Sequence, residues 1–328
     1  MLKYILKRIG LSLVILIGVS IIIYTLVRCM PVSFIDRKIA EMNQGGAQVP
    51  PEKIAAMKEM YGLTEDGFVG IVKGYISWLG KLVQFDLGDS FLKGDKVLNV
   101  IVSNMGVSFA VAFIAIIFEY LIAIPLGITA ATHQYSVRDY VVTILVVIGL
   151  SFPSFFFARA LQSLVFNTTG FFSTGLVKTG YETGFDFIFT AMKYMAVPLI
   201  SVIFLGIGGT MRYTRTNMLE VLNSDYIRTA RAKGLSETKV IYKHAFRNTM
   251  IPIVTMLAGV LPGLFSGAMI TEQIFDLPGI GNIALQCTTA GDIPFIMSYN
   301  MFLAFLSVIG VLLSDLMYMV VDPRVKLA

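Results

Sequence analysis

Charge is what this chain has least of. Only 14% of its 328 residues are Asp, Glu, Lys or Arg and 56% are hydrophobic, whereas a soluble protein carries about a quarter charged residues. The apolar residues fall in long runs that a soluble core does not require, so the chain reads as an all-α polytopic membrane protein. The two cysteines, Cys29 and Cys287, and the two histidines, His133 and His244, are too few for a disulfide framework or a metal centre. Both cysteines are expected outside, where a single bridge is an alternative to two unpaired thiols. No G-x-x-x-x-G-K-[ST] loop occurs, so the chain does not bind nucleotide by that route. Nor is there a nucleophile beside a base or a carboxylate pair on an extramembrane face; catalytic, cofactor and metal residues are expected to be absent. No internal repeat is present, which weighs against the two-halved secondary transporters.

What is present is a set of apolar spans separated by loops of contrasting charge. The net charge of +5 is concentrated between spans rather than interleaved with exposed aromatics, the pattern of membrane orientation and not of nucleic-acid binding. Lys3, Lys7 and Arg8 precede an apolar run from Ile9 to Val27 that is long for a signal peptide and has no small-x-small cleavage site after it, so it is read as a retained first span. Further spans are expected at Met105 to Ala131, Tyr140 to Phe166, Ala191 to Met211, Ile253 to Phe275 and Ser298 to Val321, six in all. Residues 212–247 hold eight Lys or Arg and residues 276–298 none. That places the first loop and both termini in the cytoplasm and the second loop outside. The domain division expected is residues 1–28 as N-terminus and first span, 29–104 as an extracytoplasmic subdomain, and 105–328 as a five-helix core. Within the subdomain, Pro50, Pro51 and Glu52 open a helix that Gly62 closes. Phe68, Ile71, Val72, Tyr75, Leu79, Leu82 and Val83 form a helical stripe, for packing on the spans or for a partner.

Residues 224–252 are the one basic, soluble-looking stretch of the cytoplasmic side. Ser224 or Asp225 can cap a short helix, Gly234 followed by Leu235 reads as a left-handed stop, and Ser236 with Glu237 starts a second helix running toward Pro252. The first helix is about 13 Å long, too short to be stable alone in water. Ile227 and Ala230 give it a small apolar knob, and Arg228 and Arg231 a charged flank.

Intramembrane charges ask for a reason, since each costs about 2.5 to 3.5 kcal/mol to insert near the centre of a span. Glu119 lies about 22 Å and Arg159 about 10 Å from the expected outer ends of their helices. They are candidates for lining a translocation cavity and meeting the two ends of a zwitterionic solute. The alternatives are a snorkelling Arg159 and a Glu119 that is protonated or bonded to a neighbouring helix. Asp315 reads as structural. Pro262, with Gly259, Gly263 and Gly267, makes the fifth span the one built to bend, although both residue types are common in membrane helices.

The motifs DLGDSF (86–91), PLGITAA (125–131), SFPSFF (151–156), RYTRTNMLEVLNSDYIRTARAKGL (212–235), EQIFDLPGIG (272–281) and DLMYMVVDPRVK (315–326) occur in an order and spacing that resemble the integral-membrane permeases of bacterial ABC importers. The resemblance is to the dipeptide/oligopeptide/nickel branch, and within it to the subunit with a large loop after its first span. It implies the type I importer permease fold in the bacterial inner membrane, a second homologous permease, and an extracytoplasmic substrate-binding protein. Two cytoplasmic ATPase subunits, which hold the ATP and Mg, complete the implied assembly. Residues 212–252 become the coupling loop, with Asp225, Ile227, Arg228, Ala230, Arg231 and Gly234 at the ATPase, and Glu272 with the PGIG turn near the mouth of the pathway. Three departures stand out. Arg228 replaces the family's Glu, Phe85 replaces the usual Gly before DLG, and Asp66-Gly67 stands where the family tends to have a proline. Peptides are the substrate the resemblance implies first, with nickel chelates or glutathione-like solutes as alternatives. An ion-gradient transporter would need intramembrane acid clusters that one Glu and one Asp do not make.

Overall fold

The computed structural model describes residues 2–28, 50, 52, 68–175 and 185–321. Cys29, the helix expected from Pro50 to Gly62, and the basic tail with Arg324 and Lys326 lie outside these residues or at their edge. Among the described residues the secondary structure is helical, with one isolated bridge between Asp89 and Lys96.

The chain divides into two compact units, one made of residues 1–106 with 283–308 and one of residues 107–282 with 309–328. This differs from the division at 28 and 104 because the C-terminal helix brings its first half to the early residues. In the first unit, α1 (Leu2–Arg28) carries the first span and α2 (Phe68–Val83) lies against it. The hydroxyls of Ser20 and Tyr75 are 2.9 Å apart, and the Tyr24 ring is 5.6 Å from Tyr75 and 5.9 Å from Trp78. The expected stripe therefore splits: Tyr75 faces α1, while Ile71, Val72 and Val83 are exposed. Helix α2 stops in a Schellman geometry, with Phe85 at φ 60° and the Asp86 N–H donating to Lys81 O at 3.0 Å. A bulky residue there accepts a backbone cost of about 1–2 kcal/mol that glycine avoids, which is the physical content of the departure at this position. The next loop is pinned by buried Asp292: its Oδ2 accepts from Ser90 Oγ at 2.6 Å and from Leu92 N at 3.0 Å.

The second unit is built on α3 (Val97–Thr132) from residue 107 onward, α4 (Val137–Ser151), α5 (Ser154–Thr169) and α6 (Phe185–Leu222). The span expected at Tyr140 to Phe166 is two helices bent by 102° at Phe152–Pro153. Pro153 forces Phe152 out of the helical region, to φ −86°, ψ 131°, so α4 ends at Ser151. Pro125 and Pro198 are instead absorbed inside α3 and α6. Helix α3 approaches α6 at Gly127, where an added Cβ would lie 2.7 Å from Thr214 Cβ, a small-residue contact of the kind that brings membrane helices together.

After α6 come α7 (Asp225–Ala232) and the single turn α8 (Glu237–Lys239), which runs through a π-helical segment (Val240–Phe246) into α9 (Arg247–Ser266). Pro252 thus does not end the second cytoplasmic helix. It lies inside α9, and the rod continues. The expected fifth span to Phe275 is divided instead at Gly267, where φ 70° and ψ 154° break the helix. Two short helices, α10 (Met269–Ile274) and α11 (Ile280–Ala290), precede α12 (Ile293–Val321). Among the described residues four helices are long and apolar enough to cross a membrane, or five if the bent pair counts as one crossing.

Candidate functional site

The cytoplasmic stretch folds as its punctuation predicts, with one reversal. Helix α7 stops at Gly234, φ 75°, with the Gly234 N–H donating to Arg231 O at 2.9 Å and the Leu235 N–H to Ala230 O at 3.4 Å, a Schellman motif. Ser224 occupies the N-cap position in an extended conformation, but its hydroxyl donates backward to Val221 O at 2.6 Å and leaves the helix start uncapped. Ile227 and Ala230 are not an outward knob. Both are buried, in one cluster with Ile128 and Ala131 of α3, Met218 of α6, and Val240 and Ala245 of the π segment. A helix this short is held because those two residues key it into its own chain. What it presents outward is Asp225, Arg228 and Arg231, with Gly234 at its end.

Arg228 lies 3.6 Å from Asp225 with both side chains largely in solvent, a contact of little energetic weight. Arg231 does more: its Nε donates to Glu237 Oε1 at 2.8 Å and braces α7 against α8. Tyr226 and Asn248 add a second brace at 3.2 Å. Beside them opens a cleft of about 370 Å³ lined by His133, Gln134, Leu222, Arg231, Glu237 and Ile241, among others.

Sequence reasoning missed the strongest ion pair of this region. Arg215 Nε and a second guanidinium nitrogen each donate at 2.9 Å to the two oxygens of Asp139, whose side chain is 5% exposed. The Tyr135 N–H donates to the same carboxylate at 3.1 Å, and Tyr135 takes a left-handed φ of 63°. This bidentate pair joins the start of α4 to the last part of α6, ahead of α7. The two residues are 76 positions apart, and only the presence of an Arg at the end of an apolar run hinted at a partner.

The intramembrane charges each have a partner, and the two are not brought together. Glu119, half-buried on α3, accepts a hydrogen bond from Thr210 of α6 and packs on Gly206, whose lack of a side chain makes the room. Arg159 does not merely snorkel: its guanidinium donates to Gln162 Oε1 at 2.7 Å, Gln162 reaches Ser173 O, and Ser173 Oγ donates to Tyr194 O at 2.8 Å. Glu272 is fully buried rather than open to a pathway. Its Oε1 accepts from Ser108 Oγ at 2.6 Å and Ala268 N at 3.1 Å, its Oε2 from Asn282 N at 2.9 Å, and Ser108 Oγ accepts from Ile280 N at 2.8 Å. Gly267, Gly279 and Gly281 press against the carboxylate, where any Cβ would collide. The acid and the PGIG turn are one sealed unit.

Residues 123–327 match the family described as the binding-protein-dependent transport system inner membrane component. The chain belongs to this family. The permease is 35% identical, over 99% of its length and all of the relative's, to the oligopeptide transport system permease protein AppB of Bacillus subtilis. It is 31% identical, over 99% of its length and all of the relative's, to the dipeptide transport system permease protein DppB of Alkalihalophilus pseudofirmus. A putative peptide transport system permease of Brucella abortus is 33% identical over 98% of both chains. Among solved structures, one of inward-facing conformations of the MetNI methionine ABC transporter superposes with a TM-score of 0.54 at 16% identity. It covers 69% of the permease and 97% of that chain, and it supports the fold alone.

Proposed function

We propose that this permease carries peptides across the bacterial inner membrane as one half of an ATP-driven import pathway. The observation that carries the reading is the full-length similarity to oligopeptide and dipeptide permeases. Nickel chelates and glutathione-like solutes are not favoured, since the relatives named above are all peptide permeases. ATP and Mg are assigned to two cytoplasmic ATPase subunits, the second half of the pathway to a homologous permease, and delivery of substrate to an extracytoplasmic binding protein. Both termini are cytoplasmic in this reading, in accord with the basic 212–247 loop. The chain itself catalyses nothing.

Coupling runs through the outward residues of α7. Asp225, Arg228 and Arg231 meet the ATPase, while Ile227 and Ala230 transmit its displacement into α3, α6 and the π segment, against which they are packed. Packed interiors move as blocks rather than deform, so a shift of α7 is passed on to the helices that hold it. Glu119 and Arg159 are proposed to line the pathway.

The test is uptake of labelled di- and oligopeptides into proteoliposomes holding the permease with its partner subunits and binding protein. Gly234→Asp is expected to abolish ATP-dependent uptake while leaving the permease in the membrane. Copurification without any ATPase subunit, together with full uptake by Gly234→Asp, refutes the reading.

A further inference from the structure

Helix α2 belongs to a region that its polarity assigns to the aqueous side, yet its surface is not that of an aqueous helix. It has 16 residues, about 24 Å of length, too short to cross a hydrocarbon core of about 30 Å. Its side chains fall into three sectors at 100° per residue. Tyr75, Trp78 and Leu82 form one; Tyr75 and Trp78 pack with Tyr24 of α1. Val72, Ile76 and Val83 form the second and are exposed, the last two at 63% and 73%. Lys73, Ser77 and Lys81, with Gly70 and Gly80, form the third. Two apolar sectors and one basic sector make the signature of a helix lying in a membrane interface.

Its depth agrees. The span within α1 ends at Val27; Tyr24 lies about 5 Å and Ser20 about 10 Å below that end, at 1.5 Å per residue. Those are the two residues that hold Tyr75, by ring contact and by hydrogen bond. At the same levels α1 itself turns Ile21, Ile22 and Leu26 outward, so the two helices share a lipid-facing environment. Interfacial helices bury their apolar face by about 5–10 Å.

Phe85 supplies an independent observation. It is 83% exposed and stands at φ 60°, a helix-stop position that glycine fills without strain and that an aromatic fills only against it. A side chain left 83% exposed gains little in water to offset that strain. In lipid it gains more, as an aromatic anchor beside Val83.

We propose that α2 and Phe85 lie in lipid, in the leaflet reached by the C-terminal end of α1. Val72, Ile76, Val83 and Phe85 face acyl chains, and Lys81 faces the lipid phosphates. The occupant of the exposed apolar face is phospholipid, not a protein partner.

Nitroxide scanning tests this on the full permease, assembled with its partner subunits in phospholipid nanodiscs, with Cys29→Ser and single cysteines at Ile76, Val83, Phe85, Ser77 or Lys81. Labels at Ile76, Val83 and Phe85 are expected to collide preferentially with oxygen, which concentrates in lipid. Labels at Ser77 and Lys81 are expected to collide preferentially with a water-soluble nickel chelate, a reversal of order within one helical turn. Equal access of the chelate to Ile76 and Ser77 overturns the proposal in favour of an aqueous subdomain. Protection of Ile76 and Val83 from both reagents overturns it in favour of a protein cover. Trp78, the single tryptophan of the chain, provides a measurement without labels on the full chain alone: brominated acyl chains are expected to quench it more strongly than aqueous iodide, and the opposite order refutes the placement.

Discussion

Removing one member of the Asp139–Arg215 pair should cost the permease far more than its peripheral position implies. The pair makes two charge-assisted hydrogen bonds of 2.9 Å, with the carboxylate 5% and the guanidinium 27% exposed. Asp139→Asn keeps one acceptor oxygen, which at the Oδ2 position can still serve the Tyr135 N–H and one Arg215 nitrogen, but it sets an NH2 donor against the Arg215 Nε–H and removes the second charge-assisted bond. It also strands a guanidinium that is three-quarters covered. Bonds to charged groups contribute about 1.5–3 kcal/mol each, and breaking a fully buried pair costs about 3–5 kcal/mol; the partial exposure of Arg215 places the loss at about 2–4 kcal/mol. In a unit of this size that corresponds to a fall in melting temperature of about 5–15 °C. The assay is thermal unfolding of the detergent-solubilised permease for Asp139→Asn, Arg215→Gln and the double variant. The double variant should lose less than the sum of the singles, with a coupling of about 1.5–3 kcal/mol. Arg215→Lys should recover only part, since an ammonium cannot bridge both oxygens. Single losses that add to within about 0.5 kcal/mol would mean that the two residues do not act as a pair.

Four further outcomes are expected from the geometry. Gly267→Ala puts a Cβ 2.6 Å from Gly281 N at φ 70°, ψ 154°, a region open essentially to glycine. A loss of about 3 kcal/mol or more should appear as aggregation in size-exclusion chromatography, and a normal profile would show that the 267–281 turn is not tightly packed. Gly234→Ala meets open space and bears only the backbone penalty of about 1–2 kcal/mol; a collapse in expression would contradict this. Arg228→Glu, which restores the family's acid, should change stability by less than about 0.5 kcal/mol because the side chain is 73% exposed, so any change in ATPase retention reports the docking contact itself. Cys287 is buried, and burial, then the neighbouring Asp292, pushes its thiol up to about 12. A raised value keeps the reactive thiolate scarce until pH nears 12, so maleimide labelling in a Cys29→Ser background should be negligible from pH 7 to 9 and appear on unfolding. Rapid labelling of the folded permease at pH 7 would refute the burial.

The helical, multi-span character of the chain and the stop at Gly234 were legible in the sequence because apolar runs and a Gly stop are local features. What the sequence did not carry was anything set by pairing across distant positions. Arg215 and Asp139, or Glu272 and Ser108, find each other only once the helices pack, and no spacing rule announces them. Ile227 and Ala230 show the opposite error. Their spacing correctly identified one apolar face of α7, but periodicity does not say whether such a face meets a partner or the chain's own core. Phe152–Pro153 and Gly267 were visible as breakers, yet their effect on span boundaries depended on the segments beyond them, a second helix in one case and a sealed turn around Glu272 in the other.

The π-helical segment from Val240 to Phe246 has a consequence for how this chain tolerates changes of length. Val240 and Ala245, five apart, are both buried, and Thr249 four further on is buried with them. An α-helix would bring residues four apart to that face, so the segment contains one residue more than the rod requires. Deleting exposed Tyr242 or Lys243 would therefore convert the wide turn to an ordinary one and leave Val240 and Thr249 on the same face. Deleting a single residue anywhere in α9 would instead rotate everything beyond it by about 100°, turning buried positions outward. The segment is an insertion the fold has already absorbed, and the one place in the rod where the chain can be shortened by a residue without loss of register.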